Sequence, residues 1–235
     1  MIRVVTADKH PLFKPAFSGE QEEKLRIIAA WLQEANKKTN LTSICAPEAI
    51  WGKHILDCAS LALIWRPDFL KAVDLGTGGG FPGLPLAVLY PETRFFLVDS
   101  RRKKVEEVRK AVETLGIINA ACLAVRGEEL ARMDEFRERM DLVVSRAVGC
   151  LSILVELGVP LLKIGGRLAA MKTPQQAEEI AAAAGAMQEL HCCLEKTVGY
   201  TLPGEGRREL WLLRKDGPSP EKYPRRPGIP EKRPL

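Results

Sequence analysis

The chain has 235 residues, 46% hydrophobic and 28% charged, with a net charge of +5. That length suffices for one good-sized α/β core plus a terminal extension, so a single catalytic domain is expected. No apolar run reaches about 18 residues, and residues 1–10 lack the succession of a secretory signal, which excludes a membrane-spanning class and points to the cytoplasm.

In chain order, Leu25, Ile28, Ala29, Leu32 and Ala35 recur at three- and four-residue steps, predicting an amphipathic helix over 21–38. Asn40-Leu41-Thr42-Ser43 breaks it, because these short polar side chains bond local backbone. A second helix is predicted over 47–65, so residues 1–66 form a helical cap on the same unit.

The pattern then changes to short β-type runs separated by helical stretches: 72–75, 94–98, 121–125, 142–145, 167–171, 195–200 and 209–213. This alternation predicts an α/β fold, a mostly parallel seven-stranded Rossmann-like sheet with helices on both faces, over 67–215. Leu202-Pro203-Gly204-Glu205-Gly206 is too short for a crossover helix, so the last two strands should form an antiparallel hairpin. Residues 216–235 form a basic tail with Pro218, Pro220, Pro224, Pro227, Pro230 and Pro234, read as extended and partly disordered. The six cysteines, Cys45, Cys58, Cys122, Cys150, Cys192 and Cys193, have no metal-ligand spacing, so reduced, mostly buried thiols and no metal are expected.

The strongest signal is Val73-Asp74-Leu75-Gly76-Thr77-Gly78-Gly79-Gly80-Phe81-Pro82-Gly83, a buried strand running into a glycine turn with Pro82 opening a helix. A ligand should lie across it. Gly78-x-Gly80-x-x-Gly83 also meets the dinucleotide pattern, so a nicotinamide enzyme is an alternative. Asp74 argues against it, because a pyrophosphate disfavours a nearby acid, whereas S-adenosylmethionine brings an ammonium and a sulfonium. Asp99, about 20 residues on, suits the two ribose hydroxyls or an N-cap. Gly127 and Glu128, after the third strand, are candidate adenine contacts or an ordinary acidic first turn.

Asn36-Lys37-x-x-Asn40-Leu41-Thr42, His54-Ile55-Leu56-Asp57, the glycine turn through Pro85, Val98-Asp99-Ser100 and Ser145-Arg146-Ala147 together resemble the bacterial 16S rRNA guanine-N7 methyltransferase G family, glucose-inhibited division protein B. The resemblance runs from about Glu22 to Lys215 and implies a class I S-adenosylmethionine methyltransferase acting on 16S rRNA or the small ribosomal subunit. It implies cofactor contacts at Gly76, Phe81, Asp99, Gly127, Glu128 and Arg146, with Arg146 near the reaction centre; Asp74 and Gly78 join the cofactor set from the turn itself. Asp57-Cys58 departs from the family's usual Asp-Ser, though the side chain stays small.

The chain lacks an Asn-Pro-Pro-Tyr tetrapeptide for an exocyclic amine and a Pro-Cys nucleophile for a pyrimidine ring. Guanine N7 loses no proton on methylation, so alignment matters more than a general base. Arg146 suits guanine O6 or a phosphate, or else an ion pair with a helix acid. His54 is as readily structural as functional. Arg101, Arg102, Lys103 and Lys104 read equally well as a solvated helix face, whereas Arg207, Arg208 and the tail cations are better phosphate contacts. A monomer is expected. A nicotinamide-dependent dehydrogenase and a non-catalytic RNA-binding assembly factor are the alternatives.

Overall fold

The computed structural model describes residues 11–146, 148–174 and 177–235; Ala147 of the Ser-Arg-Ala motif and the first ten residues lie outside them. A seven-stranded sheet of order β3-β2-β1-β4-β5-β7-β6 carries helices on both faces. The strands are β1 (Lys71–Leu75), β2 (Arg94–Asp99), β3 (Ala120–Ala124), β4 (Met140–Arg146), β5 (Leu162–Lys172), β6 (Cys192–Leu202) and β7 (Gly206–Lys215). β1 to β5 run parallel, and β7 joins β5 and β6 antiparallel, as the short connection before Gly206 requires.

Helix α1 (Gly19–Thr39) opens with a reciprocal cap, in which Ser18 Oγ accepts from the Gln21 N–H while Gln21 Oε1 accepts from the Ser18 N–H. It ends at Asn40, held left-handed at φ 47°. Leu25, Ile28, Leu32 and Ala35 form its buried stripe. The following helical stretch contains α2 (Pro47–Ile50), a π-helical turn (Trp51–Leu56), α3 (Asp57–Ala59) and a 3₁₀ turn (Ser60–Leu63). π turns of this kind often mark functional positions.

Alternation along β1 divides the core. Ala72 faces the side packed by α1, α4 (Gly83–Leu89) and α5 (Arg102–Thr114), while Val73 and Leu75 face α6 (Gly127–Leu130) and α7 (Leu151–Gly158). At the sheet's β6 margin, residues 11–13 lie alongside the strand, with Phe13 N–H donating to Thr201 O (2.9 Å) and Thr201 N–H to Pro11 O (2.9 Å). At the β3 margin, Arg109 Nη2 donates to Cys122 O (3.0 Å). The cysteines are free thiols; Cys58 and Cys192 are buried, Cys45 is exposed and the other three are half-buried, fewer fully buried than expected.

The largest departure from expectation is the tail. After α8 (Ala177–Ala182) and α9 (Ala184–Glu189) complete the layer, residues 216–235 follow a fixed path across it and end in α10 (Ile229–Lys232). Proline bars ladder pairing, but backbone carbonyls can still be satisfied by side chains. Arg137 donates to the carbonyls of Ser219, Pro220 and Tyr223, and Arg132 to that of Pro224 (2.6 Å). Arg225 makes a bidentate pair with fully buried Glu156 (2.8 and 2.6 Å), and Tyr223 is buried with its hydroxyl on Glu189 (3.0 Å).

Candidate functional site

The glycine turn joins β1 to α4. Gly76 has φ +77°, and a Cβ there would overlap Val148 Cγ2, so conformation and space both require glycine. A Cβ at Gly83 would overlap Leu97 and crowd Asp74 Oδ2 (2.8 Å). Asp74 is the brace of this turn: its Oδ2 accepts from Thr77 Oγ1 (2.6 Å) and from the Gly83 N–H (2.7 Å). The carboxylate is wholly buried and faces into the turn instead of outward to an ammonium as expected; its Oδ1 has no partner among the described residues. Burial pushes its pKa up to about 7, against the lowering effect of those two donors.

A cavity of about 350 Å³ opens over the strand ends, lined by Gly76, Asp99, Gly127, Glu128, Gly149 and Glu231 among others. Asp99 closes β2, with Oδ2 accepting from the Gly78 N–H (3.0 Å) and Oδ1 from the Arg101 N–H (2.8 Å). Oδ1 also accepts from Arg101 Nε (3.3 Å), so Oδ2 is the oxygen that retains a further lone pair toward the cavity. Gly127 admits close packing of Leu75, whose Cδ1 would stand 3.1 Å from a Cβ there. Glu128 is buried, and its Oε1 accepts from the Gly228 N–H of the tail (2.9 Å).

A second cavity, about 280 Å³, is lined by Asp57, Arg146, Gly149, Lys172, Tyr200 and Arg208, together with Met171 and Thr173. Gly149 borders both, so the two cavities adjoin across one loop residue. Arg146, at the end of β4, is clamped by the helical cap. Its Nη1 donates to Lys53 O (2.8 Å) and faces Asp57 Oδ2 (3.6 Å) and Cys58 Sγ (3.9 Å), while Nη2 lies 2.6 Å from His54 Nδ1. Nδ1 must then accept, leaving the imidazole N–H on Nε2 to donate to Thr42 Oγ1 (2.9 Å). Burial, and secondarily the Arg146 charge, lowers the His54 pKa to about 3, so the ring is neutral. Asp57 is anchored on its other oxygen by the Tyr200 hydroxyl (2.8 Å), and burial raises its pKa. Phe81 lies under this cluster, its ring 4.9 Å from the His54 ring and 5.8 Å from the Arg146 guanidinium carbon.

Of the expected cofactor set, the structure thus brings Gly76, Asp99, Gly127 and Glu128 together on one cavity. Gly78 acts on it through Asp99; Phe81 and Arg146 belong to the neighbouring cluster. The basic residues also redistribute. Lys215 is fully buried against Glu138 (2.6 Å) and Arg225 is spent on Glu156, so neither can meet a phosphate. Arg207 and Arg208 open β7 instead of standing in the hairpin loop, and Arg208 lines the second cavity. Arg102 pairs with Glu106 (2.9 Å), as a solvated helix face would. Tyr200, Lys172 and Glu231 carried no sequence signal.

Comparison with known proteins places the chain clearly. The family model described as GidB, rRNA small subunit methyltransferase G, matches residues 21–207. The chain is similar to the protein named ribosomal RNA small subunit methyltransferase G of Moorella thermoacetica, 39% identical over 218 residues that cover 91% of each chain. The protein of that name in Deinococcus deserti is 44% identical over 215 residues, 91% of this chain and 88% of that one. Among solved structures, a SAM-dependent methyltransferase from Aquifex aeolicus shares the fold with TM-score 0.52 at 13% identity, over 79% of this chain and 98% of that one. A SAM-dependent O-methyltransferase from Thermotoga maritima does so with TM-score 0.50 at 18% identity, over 81% and 73%.

Proposed function

Because the chain belongs to the rRNA small subunit methyltransferase G family, we propose that this methyltransferase transfers a methyl group from S-adenosylmethionine to N7 of a guanine in 16S rRNA of the small ribosomal subunit. The family does not favour the dehydrogenase or the non-catalytic assembly factor. The single observation that carries the reading is the pair of adjoining cavities, one edged by Asp99 and Glu128, the other by the clamped Arg146.

The first cavity fits the cofactor by its donor set. Asp99 Oδ2 keeps acceptor capacity for a ribose hydroxyl, Gly76 and Gly127 allow close backbone approach, and Glu128 stands at the end of the cavity suited to the base. S-adenosylmethionine supplies an electrophilic methyl on a sulfonium. In the second cavity Arg146 and Arg208 present cations, Lys172 is paired with Glu179 (2.7 Å), and the carboxylate of the lining, Asp57, is committed to Tyr200 and Arg146. That arrangement suits an acceptor that sheds no proton. Arg146 can align guanine O6 or a flanking phosphate, with its plane set by His54, Lys53 O and Asp57. Orientation of this kind, not proton abstraction, is the contribution the chain's residues make.

The test is incubation with methyl-labelled S-adenosylmethionine and small subunits from cells lacking this protein, followed by nucleoside mapping. A single labelled 7-methylguanosine in 16S rRNA is the expected result. Label on another atom or another RNA would overturn the N7 assignment. Product formation should also fall steeply with salt, because phosphate contacts release counterions.

A further inference from the structure

The cofactor cavity has a wall that comes from outside the span matched by the family model. That model ends at residue 207, whereas Glu231 lines the cavity and Gly228 is bonded to Glu128. The tail reaches this place along a path fixed at several points: Arg137 holds the carbonyls of Ser219, Pro220 and Tyr223, Arg132 that of Pro224, and Arg225 grips buried Glu156. Gly228, at φ +80°, then turns the chain, and buried Pro230 seats α10. An element held this firmly binds with little further loss of backbone conformational entropy.

Glu128 is less available than its position suggests. Its Oε1 accepts the Gly228 N–H at 2.9 Å and its Oε2 faces Arg126 Nε at 3.6 Å. Glu231, by contrast, projects from α10 at the cavity's edge, and its residue is exposed. A carboxylate accepts hydrogen bonds and cannot donate them when ionised. It therefore favours a ring bearing an amino group over one bearing a carbonyl at the same position.

We infer that the C-terminal strap, Gly228 to Glu231, is part of the cofactor-binding site, and that Glu231 is a specificity-determining residue for the 6-aminopurine of the ligand. This inference rests on the S-adenosylmethionine reading above and adds to it a binding element that lies outside the family's matched span. The strap contributes twice: its backbone N–H fixes the Glu128 carboxylate, and its own carboxylate accepts from the ligand's exocyclic amine.

The test uses calorimetric titration of the full chain, of Glu231→Ala and of a chain ending at Pro227, with S-adenosylmethionine, 5′-methylthioadenosine and its 6-oxo counterpart, 5′-methylthioinosine. Wild type should bind the amino compound more tightly than the oxo compound. Glu231→Ala should weaken the amino compound by about tenfold, the scale of one charge-assisted hydrogen bond, and shrink the amino-to-oxo ratio. The shortened chain should bind still more weakly, because Glu128 also loses its tether. Unchanged affinity and an unchanged ratio in Glu231→Ala would overturn the assignment even if the shortened chain failed to fold. Failure of wild type to bind S-adenosylmethionine or 5′-methylthioadenosine at all would overturn the cofactor reading, and the strap assignment with it.

Discussion

Arg146 Nη2 stands 2.6 Å from His54 Nδ1, joining the end of a central strand to the π-helical turn of the N-terminal cap. The imidazole is neutral and passes the contact on to Thr42. Arg146→Ala should lower the methyl-transfer rate by about a hundredfold or more, the scale seen when an aligned electrostatic group is removed. Affinity for S-adenosylmethionine should change little, since Arg146 lines the neighbouring cavity. Single-turnover kinetics beside a binding titration would separate the two; loss of cofactor affinity with unchanged turnover would contradict this division.

His54 acts on the reaction through Arg146, so His54→Ala should reduce kcat by about tenfold while leaving cofactor affinity in place. A merely structural role predicts instead a fall in Tm with kcat per folded molecule preserved. His54→Gln, which keeps an acceptor for the guanidinium, should recover part of the rate.

Two buried groups tie stability to pH in opposite senses. His54 has a folded pKa of about 3, below its ordinary value of 6.5, so its contribution is present above 6.5 and lost as pH falls from 6.5 toward 3. Asp74 has a folded pKa of about 7, above its ordinary 3.8, so its contribution is present below 3.8 and lost as pH rises toward and through 7. Asp74→Asn removes the second effect. Its Tm relative to wild type should therefore climb by on the order of 10 °C between pH 4 and pH 8, at about 1.4 kcal/mol per pKa unit and about 3 °C per kcal/mol. A relative Tm that falls over this range would sink the assignment.

The seven strands and the glycine turn were legible because their signals are local: β-type runs between turn residues, and glycines where the chain must bend or pack closely. The hairpin followed from the short link before Gly206. Residues 76, 99, 127 and 128 could be placed on one cavity because they close or follow successive strands of a doubly wound sheet. The clamp around Arg146 was only half legible. Its members stand in recognisable motifs, yet Tyr200 reaches Asp57 across 143 residues of sequence, a pairing no periodicity announces. Asp74 was recognised but aimed the wrong way, since burial of the carboxylate depends on Thr77 and the Gly83 N–H behind the turn. The tail was misread because prolines report only what backbone pairing is forbidden, whereas its order comes from the donors of Arg132 and Arg137 elsewhere in the chain.

The anchor of that tail can be measured directly. Arg225→Ala leaves Glu156 buried without its cation and should destabilise the fold by about 3 kcal/mol, read from denaturant unfolding. Adding Glu156→Leu should restore much of the loss, because an apolar side chain of similar size removes the stranded charge. If the single variant unfolds like wild type, the pair is not an anchor.

Cys58 offers a gentler test. Its thiol lies 3.9 Å from Arg146 Nη1, and burial raises its pKa beyond any working pH, so it acts as a weak neutral acceptor. Cys58→Ser supplies a stronger acceptor in a slightly smaller side chain. The variant should fold with a Tm within about 3 °C of wild type, the equivalent of about 1 kcal/mol, and retain full turnover. A collapse of activity would mean that the guanidinium is held in a different orientation.

The contacts at the two margins of the sheet bear on behaviour at high concentration. Exposed edge strands recruit strands from other molecules, the route by which folded proteins grow into fibrils. Here residues 11–13 occupy part of the β6 rim, and the Arg109 guanidinium fills a carbonyl on the β3 rim with a charge that a second molecule would have to displace. Both ends of the sheet are thereby made poor templates for polymerisation, one by a segment of the chain's own backbone and the other by a single cation.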